Sequence, residues 1–143
     1  MISTQDCKFV NVTPPAAIVN NASYTTNEID TLGYDYCTIV CSLGATDIAM
    51  AALKVQESDT SGSGHADITS ATFASALPSS TDDNKMYAFY IPLQGRKRYL
   101  DLVATAGNGS TGTFLSAIAI LSRAEQTPNS ATARGLGGQV ILT

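Results

Sequence analysis

The stretch "DYCTIVCSLG" (35–44) decides the fold of this chain of 143 residues. Apolar and β-branched residues dominate it, and Gly33 and Gly44 bracket it as turn formers. A short run of this kind predicts a β-strand rather than a helix. Because polar side chains hardly interrupt the run, it also predicts a strand that is covered on both faces.

Further strands are predicted on both sides of this run. They lie at 23–31, with Ile29 as the anchor, and at 48–58, 85–93, 98–107 and 113–123. Turn formers separate them about every ten residues, and no helical period is sustained beyond about two turns. One short helical turn is predicted at 70–78. This spacing predicts an all-β sandwich or barrel.

Two loops are predicted to reverse the chain. In "LKVQESDTSGSGH" (53–65), the first seven residues indicate a strand and "TSGSGH" the turn that leads to the next one. The segment "AGNGSTG" (106–112) is predicted to be a hairpin turn. Asn108 and Gly109 would adopt the positive φ angles that such turns require.

The two ends differ from the middle, and we expect an N-terminal arm (1–22), a β-sandwich domain (23–123) and a C-terminal arm (124–143). Paired prolines in the first arm oppose central strand pairing. The second arm begins polar and finishes with the apolar "VILT" (140–143), which needs a place to bury itself. Two placements stay open: a last strand of its own domain, or a strand added at the edge of a neighbouring subunit or partner.

The segment after the 48–58 strand concentrates polar residues, including the only histidine. A hydrolytic site would combine Ser61 or Ser63 with His65 and Asp67, but the strand–turn–helix context of a constrained nucleophile is missing. A loop of Gly and Ser also preorganises three catalytic groups poorly. We therefore expect no catalytic residues and a protein that is not an enzyme.

Metal and cofactor sites are not expected either. A calcium site would use Glu57, Asp59 and Asp67, yet the EF-hand spacing is absent. The adjacent Asp82 and Asp83 are typical of a solvated turn. One histidine and three cysteines without C-x-x-C pairs do not supply a zinc site. No phosphate-binding glycine loop leads into a helix.

The main basic cluster is "GRKR" (95–98). It indicates either a contact for an anion or acidic partner, or a solvated loop that leads into a strand. For small ligands we favour the solvated loop, while a contact with a protein partner stays open.

The cysteines form no recognisable motif. Cys37 and Cys41 lie ~13 Å apart on one face of the predicted strand, too far for a disulfide between them. Both are predicted to be buried thiols. The absence of a disulfide framework fits synthesis in a cytoplasm.

Composition limits the classes of partner. The net charge is −4, which disfavours nucleic-acid binding because that needs a positive field. Charged residues make up only 14% of the chain, below the roughly 25% of typical soluble domains. No apolar run approaches the ~20 residues of a membrane span, and "MISTQDCKFV" does not have the pattern of a secretory signal.

The order of several segments resembles a family of small virion proteins of tailed bacteriophages. The segments are "EIDTLGYDYCTIVCSLGAT" (28–46), "ALKVQESDTS" (52–61) and "YIPLQGRKRYLDLVATAGNGSTGTFLSAIAILSR" (90–123). In that family I-D-T-x-G-Y-D precedes a strand, and K-x-Q-E-S-D, G-x-K/R-R-Y-L/V and an apolar strand ending in A-x-L follow in that order. The matching motif residues are interpreted as fold-keeping positions: Ile29, Asp30, Gly33, Tyr34, Gln56, Glu57, Asp59, Arg98 and Tyr99.

The resemblance implies a capsid decoration (cement) protein, a β-sandwich subunit on the outer surface of a phage head. The fold that we expect is all-β, an antiparallel, jelly-roll-like β-sandwich with extended N- and C-terminal arms. The expected partners are the major capsid protein and further copies of the chain, with a trimer favoured. The expected location is the capsid surface of the virion, after synthesis in the host bacterial cytoplasm.

The alternative function is a carbohydrate- or host-surface-binding β-sandwich module of a phage particle. The aromatic side chains of "KMYAFY" (85–90) would then stack on a sugar. However, Tyr87 and Phe89 alternate onto one face, which is more typical of a core.

Overall fold

The computed structural model describes residues 2–142 and contains eight β-strands there. They are β1 (Lys8–Thr13), β2 (Ile29–Asp30), β3 (Tyr34–Thr46), β4 (Ala52–Ser58), β5 (Ala66–Thr72), β6 (Met86–Pro92), β7 (Tyr99–Thr105) and β8 (Thr113–Ala124). Nowhere in this described part is there a helix of the length and apolarity that a membrane span needs.

The strands form two antiparallel sheets of four strands each. Sheet A has the order β1-β8-β3-β6, and sheet B has the order β2-β7-β4-β5. Strand 1 therefore pairs with 8, 2 with 7, 3 with 6 and 4 with 5, as though one long hairpin had been rolled up. This is the eight-stranded jelly-roll arrangement of two sheets. The predicted all-β sandwich is confirmed.

Alternation along the strands places one apolar row of each strand in the core between the sheets. Ile29, the predicted anchor of the mixed segment 23–31, is completely buried there. The main buried rows are Cys37, Ile39, Cys41 and Leu43 of β3, Leu115, Ala117, Ala119 and Leu121 of β8, and Leu53, Val55, Leu100 and Leu102 of sheet B.

The cysteines are free thiols, and all three are buried. This confirms the prediction for Cys37 and Cys41. Burial raises the pKa of both thiols to about 12. They stay protonated at neutral pH, and because the thiolate is the reactive form, they are chemically inert there.

The predicted reversal after "LKVQESD" is confirmed, because β4 and β5 form an antiparallel hairpin around it. Gly62 and Gly64 adopt φ angles of 75° and 68° in this turn, a region that favours glycine. The Ser58 hydroxyl closes the turn, since it donates to the carbonyl of Ser63 at 2.6 Å and accepts from the amide of Thr60 at 3.0 Å.

The predicted hairpin turn at 106–112 is wrong. The strands on either side of it, β7 and β8, belong to different sheets, so the loop crosses from sheet B to sheet A. Positive φ occurs at Gly112 and not at Asn108 or Gly109. Asp47 shapes the loop instead, because its Oδ2 accepts hydrogen bonds from the amide of Gly112 and from the preceding amide, at 3.0 and 2.6 Å.

Three further expectations about local structure are wrong. Residues 48–51 precede β4 and do not form its start, and 70–78 holds the end of β5 and a turn in place of a helical turn. The range 1–22 is not an arm throughout, because β1 lies within it and pairs with β8. The paired prolines follow this strand and therefore end it without preventing it.

The C-terminal arm first lies against the free edge of β1. The Phe9 amide donates to the carbonyl of Arg134 at 2.8 Å, and the buried Arg134 donates through Nε to the carbonyl of Gln5 at 2.5 Å. Residues 136–142 then form no strand, so they do not complete their own domain. Thr143 of this arm and Met1 of the first lie outside the described residues.

Candidate interaction surface

Glu28 is the centre of a polar cluster that includes two residues of the hypothetical hydrolytic site. It accepts hydrogen bonds from Ser61 Oγ at 2.6 Å and from the Gly62 amide at 2.8 Å. His65 Nε2 lies 2.9 Å from Glu28 Oε2, although this contact lacks hydrogen-bond geometry. The carboxylate therefore separates the hydroxyl from the imidazole, whereas a triad needs the imidazole to take the hydroxyl proton directly.

The electrostatics of this cluster also differ from those of a catalytic site. The hydrogen bond from Ser61, followed by that from Gly62, lowers the pKa of Glu28. A general acid–base carboxyl that acts near neutral pH needs the opposite shift. Glu28 thus joins the turn at 61–65 to the segment before β2. No local sequence pattern reveals this role of Glu28, because its partner Ser61 is 33 residues away.

The acids considered for a calcium site bind neighbouring donors. Asp67 accepts hydrogen bonds from Lys54 Nζ and Gln56 Nε2, both at 2.7 Å. Asp82 and Asp83 accept from nearby backbone amides at 2.9 and 2.8 Å. Across residues 2–142, no three His, Cys, Asp or Glu side chains converge on one position that could hold a metal ion.

The basic loop 95–98 is paired with acids of its own chain. An incoming anion would have to compete with three carboxylates for these cations. Tyr99, which follows the loop, lies under Arg98, with the guanidinium carbon 4.9 Å from the ring centre. The ion pairs are Arg96–Glu57 at 3.4 Å, Lys97–Asp59 at 3.6 Å and Arg98–Asp30 at 2.8 Å.

The outer face of sheet A is of a different kind. Antiparallel partners lie on the same side of a sheet, so the strand register defines rows of side chains across this face. None of the paired positions in these rows carries a charged side chain, but the guanidinium of Arg123, near the end of β8, lies over the Tyr36 ring at 5.9 Å from its centre. The rows are Phe9–Ile120–Thr38–Tyr90, Asn11–Ile118–Val40–Ala88, Ser116–Ser42–Met86 and Ser122–Tyr36–Pro92.

This outer face is open to solvent in the single chain. Tyr90 is 80% exposed, Met86 67% and Ile118 41%. The prediction that β3 is covered on both faces is therefore wrong for the chain alone, since the outward Tyr36 is also exposed. Four strands ~4.8 Å apart and seven residues long give this face a plane area of roughly 450 Å². Apolar side chains occupy most of it, and the polar positions are Asn11, Thr38, Ser42, Ser116 and Ser122. Exposed apolar patches of several hundred Å² mark interaction sites.

The aromatic residues of β6 divide between the two faces. Tyr87 and Phe89 face the core, as predicted, and contact Phe73 edge-to-face with ring centres 5.2 and 4.9 Å apart. Tyr90 points the other way, onto the outer face. A single aromatic side chain of this strand is therefore available to a partner on that face.

A signal for this surface was present in the sequence. In both β3 and β8, apolar residues occupy successive positions, such as Ile39–Val40 and Ile118–Ala119–Ile120. Such runs are typical of strands buried on both faces. The sandwich covers one of the two rows, and the second row is left for another molecule.

Two comparisons with known proteins add no assignment: no protein-family model matches the sequence, and no curated protein matches it.

Proposed function

We propose that this chain is a structural virion protein, a capsid decoration protein that binds the outer surface of a tailed-phage head and stabilises it. Its partners would be the major capsid protein and further copies of itself, with a trimer favoured, and it would lie on the capsid surface of the virion. It would have no catalytic role, no cofactor, and no contact with nucleic acid or membrane.

The observation that carries this proposal is the largely apolar outer face of sheet A, whose rows contain no charged residue and which only the Arg123 guanidinium reaches, at its end over Tyr36. Its two central strands, β3 and β8, have the apolar pattern of strands covered twice, yet one cover is missing in the single chain. A flat, apolar, uncharged surface suits burial against another protein, because little polar surface has to be desolvated. Burial of this face would supply the missing cover.

Two further observations support a role in adhesion. The polar groups that might suggest catalysis bind one another, with Glu28 between Ser61 and His65. The jelly roll is a fold that viral capsid proteins often use, although fold alone does not determine function. The resemblance of residues 28–123 to phage virion proteins points the same way.

Stabilisation would follow from mass action. A protein that binds the assembled shell, and not its separated subunits, shifts the equilibrium toward the shell. Copies that contact the lattice at several equivalent places gain retention through multivalency. A modest contact from each outer face can therefore hold a subunit firmly.

The test is binding to empty heads assembled from the major capsid protein of the same genome. The chain should sediment with the heads in a copy number that matches the threefold positions of the lattice. It should also raise the temperature at which the heads fall apart. A chain that stays in the supernatant at every ratio would contradict the proposal.

A matched pair of variants assigns the contact to sheet A. Ile118→Lys adds a charge to its outer face and should abolish sedimentation with heads. Val103→Lys adds the same charge to the outer face of sheet B and should leave binding intact. Equal behaviour of the two variants would show that the outer face of sheet A is not the contact surface.

The alternative is a carbohydrate- or host-surface-binding module of a phage particle. The observation in its favour is the exposed Tyr90, an aromatic ring of the kind that stacks on sugars, and jelly rolls also occur in lectins. A glycan array decides the matter: hits that disappear in Tyr90→Ala would favour this alternative, and an array without hits would exclude it for the glycans tested.

A further inference from the structure

A groove lies along one side of the sandwich, between the free edge of β5 in sheet B and the free edge of β6 in sheet A. We call it the side groove, and its volume is about 530 Å³. Most of its lining is apolar, whereas the polar part includes Ser70, Thr72, Gln94 and Arg96. The apolar lining includes Ile68, Ala71, Phe73, Phe89, Ile91 and Pro92.

Both strands that border the side groove have an unpaired edge. β5 pairs with β4 alone and β6 with β3 alone, so alternate amides and carbonyls of each point away from its sheet. Among the described residues, no backbone hydrogen bond outside the sheets uses an atom of either strand. Charged residues and prolines usually protect a sheet edge against strand addition. β6 contains no charged residue, and its proline, Pro92, is the last residue of the strand.

The chain also carries an extended apolar segment without a binding place. Val140, Ile141 and Leu142 are uncharged, and the first and last are 88% and 86% exposed. They belong to no strand and make no backbone hydrogen bond within the described part of the chain. An extended segment of this chemistry binds well by adding a strand to a free edge while its side chains enter an apolar groove.

This segment cannot reach the side groove of its own chain. The Arg134 carbonyl lies beside β1, and Arg134 also donates to the side chain of Gln139 at 3.0 Å. From there to a strand added beyond β6 is five strand spacings, or ~24 Å. The six residues from Gly135 to Val140 span at most ~22 Å even when fully extended. A side groove that binds this segment must therefore belong to another copy.

We infer that residues Val140–Leu142 of one copy bind in the side groove of a second copy, as a strand added at the free edge of β6. The proposed function includes self-association of the chain, and this inference names the contact through which it occurs. It rests on the proposed function only for the self-association itself. Because the two contacting surfaces differ, the interface is heterologous. It generates a closed ring or an open filament, and a ring of three copies would satisfy every groove.

The first test compares variants of the full chain by size-exclusion chromatography with light scattering. The unmodified chain should form an oligomer, and Val140→Asp combined with Leu142→Asp should make it monomeric. Ser70→Glu, which places a charge in the side groove, should have the same effect. Thr69→Glu, at the adjacent exposed position outside the groove, is the matched control and should remain oligomeric.

The second test traps the contact between two copies. A Val140→Cys variant is mixed with a Ser70→Cys variant under mild oxidation, and we expect a covalent dimer that joins the two. A Thr69→Cys variant should give much less of it. The native cysteines are buried and should not compete.

Three results would overturn the inference: a monomeric unmodified chain, an oligomer that survives the Asp substitutions, or equal effects of Ser70→Glu and Thr69→Glu. Failure here is distinguishable from failure of the proposed function. If the groove contact fails while binding to heads still depends on Ile118, the inference alone falls. If the copies associate through the groove but ignore heads, the proposed function alone falls.

Discussion

The outer faces of the two sheets differ although their inner faces are built alike. The outer face of sheet B carries ionised groups that are already paired, with Asp67 bridging Lys54 and Gln56 at 2.7 Å. The outer face of sheet A carries one charged group, the guanidinium of Arg123 over the Tyr36 ring at the end of β8, and Tyr90 and Met86 are its most exposed side chains.

Under the proposed function, this difference assigns the outer face of sheet B to water and the outer face of sheet A to the partner. Paired charges on a surface remain well hydrated, and burying them costs their favourable hydration free energy. The outer face of sheet B is therefore suited to contact with solvent. Sheet A has little to lose on burial and apolar area to gain, at about 25 cal/mol per Å² removed from water. A decoration protein needs this asymmetry, because one side binds the shell and the other keeps the particle soluble.

The inner faces are where the two sheets should behave alike. Leu121 of sheet A and Leu102 of sheet B are both buried in the common core. Leu121→Ala and Leu102→Ala should each lower the free energy of unfolding by about 2–5 kcal/mol, because each leaves a cavity. Denaturant titration measures both. If the losses of unfolding free energy in the two variants differ by more than the width of this range, the two sheets do not contribute equally to the core.

The outer faces should separate in a test that uses the same residue type on each. Tyr90→Ala on sheet A should weaken binding to heads by about 2 kcal/mol, or ~30-fold, as expected for a central aromatic contact. Tyr99→Ala on sheet B should change it less than twofold. Titration of heads with labelled protein gives both affinities. The comparison fails if Tyr99→Ala is the more damaging substitution.

The ion pairs of sheet B should contribute little to stability, because exposed pairs are screened by water. Lys54→Met removes the partner of Asp67 from a half-exposed pair 2.7 Å long. We expect Tm to change by about 1–3 °C, which calorimetry can detect, and binding to heads to stay the same. A drop beyond 5 °C would mean that this surface is a structural network and not only a hydrated face.

Changes of pH should act on folding and leave the contact of sheet A unchanged. Lys85 and nearby donors lower the pKa of Asp82 from 3.8 to about 2, and the pKa values of Asp30, Asp47 and Asp67 are also lowered. The folded form therefore binds these protons less tightly than the unfolded form. Their contribution to stability is complete above the unfolded pKa and is lost as pH falls through the folded values.

The corresponding measurements are thermal unfolding and head binding across a pH series. Tm should decline below about pH 4, while binding should be constant between about pH 5 and 8 and insensitive to salt. Binding that titrates in that interval would reveal an ionisable group in the contact, and with it a fault in the assignment of sheet A.

The sequence predicts the individual strands better than it predicts which strands pair with one another. The apolar runs of β3 and β8 and the alternation of Leu100 and Leu102 are local patterns, and they agree with the structure. The turn residues of 106–112 predict a hairpin wrongly, because they do not reveal which sheet the next strand joins. Long-range pairing of β7 with β4 and of β8 with β3 decides that.

Two strands and the candidate surface could not be predicted from the sequence, and the physical reasons differ. β5 ("ADITSAT", 66–72) has few large apolar side chains, so its alternation is faint, and β1 was obscured by the prolines that follow it. The outer face of sheet A was visible as an excess of apolar positions. The pattern could not reveal that the second cover is absent from the chain, because periodicity records burial and not its source.

The rolled-up pairing of the strands also sets the order in which the protein can form. Lys8 of β1 pairs with Leu121 of β8, 113 residues later, and β8 lies between β1 and β3. At ~5–20 residues per second, a ribosome needs ~6–20 s to supply that partner. Contacts so distant in sequence are typical of folding on a scale of milliseconds to seconds. Sheet A therefore cannot assemble before β8 has been synthesised, and β1 stays without its partner strand until then.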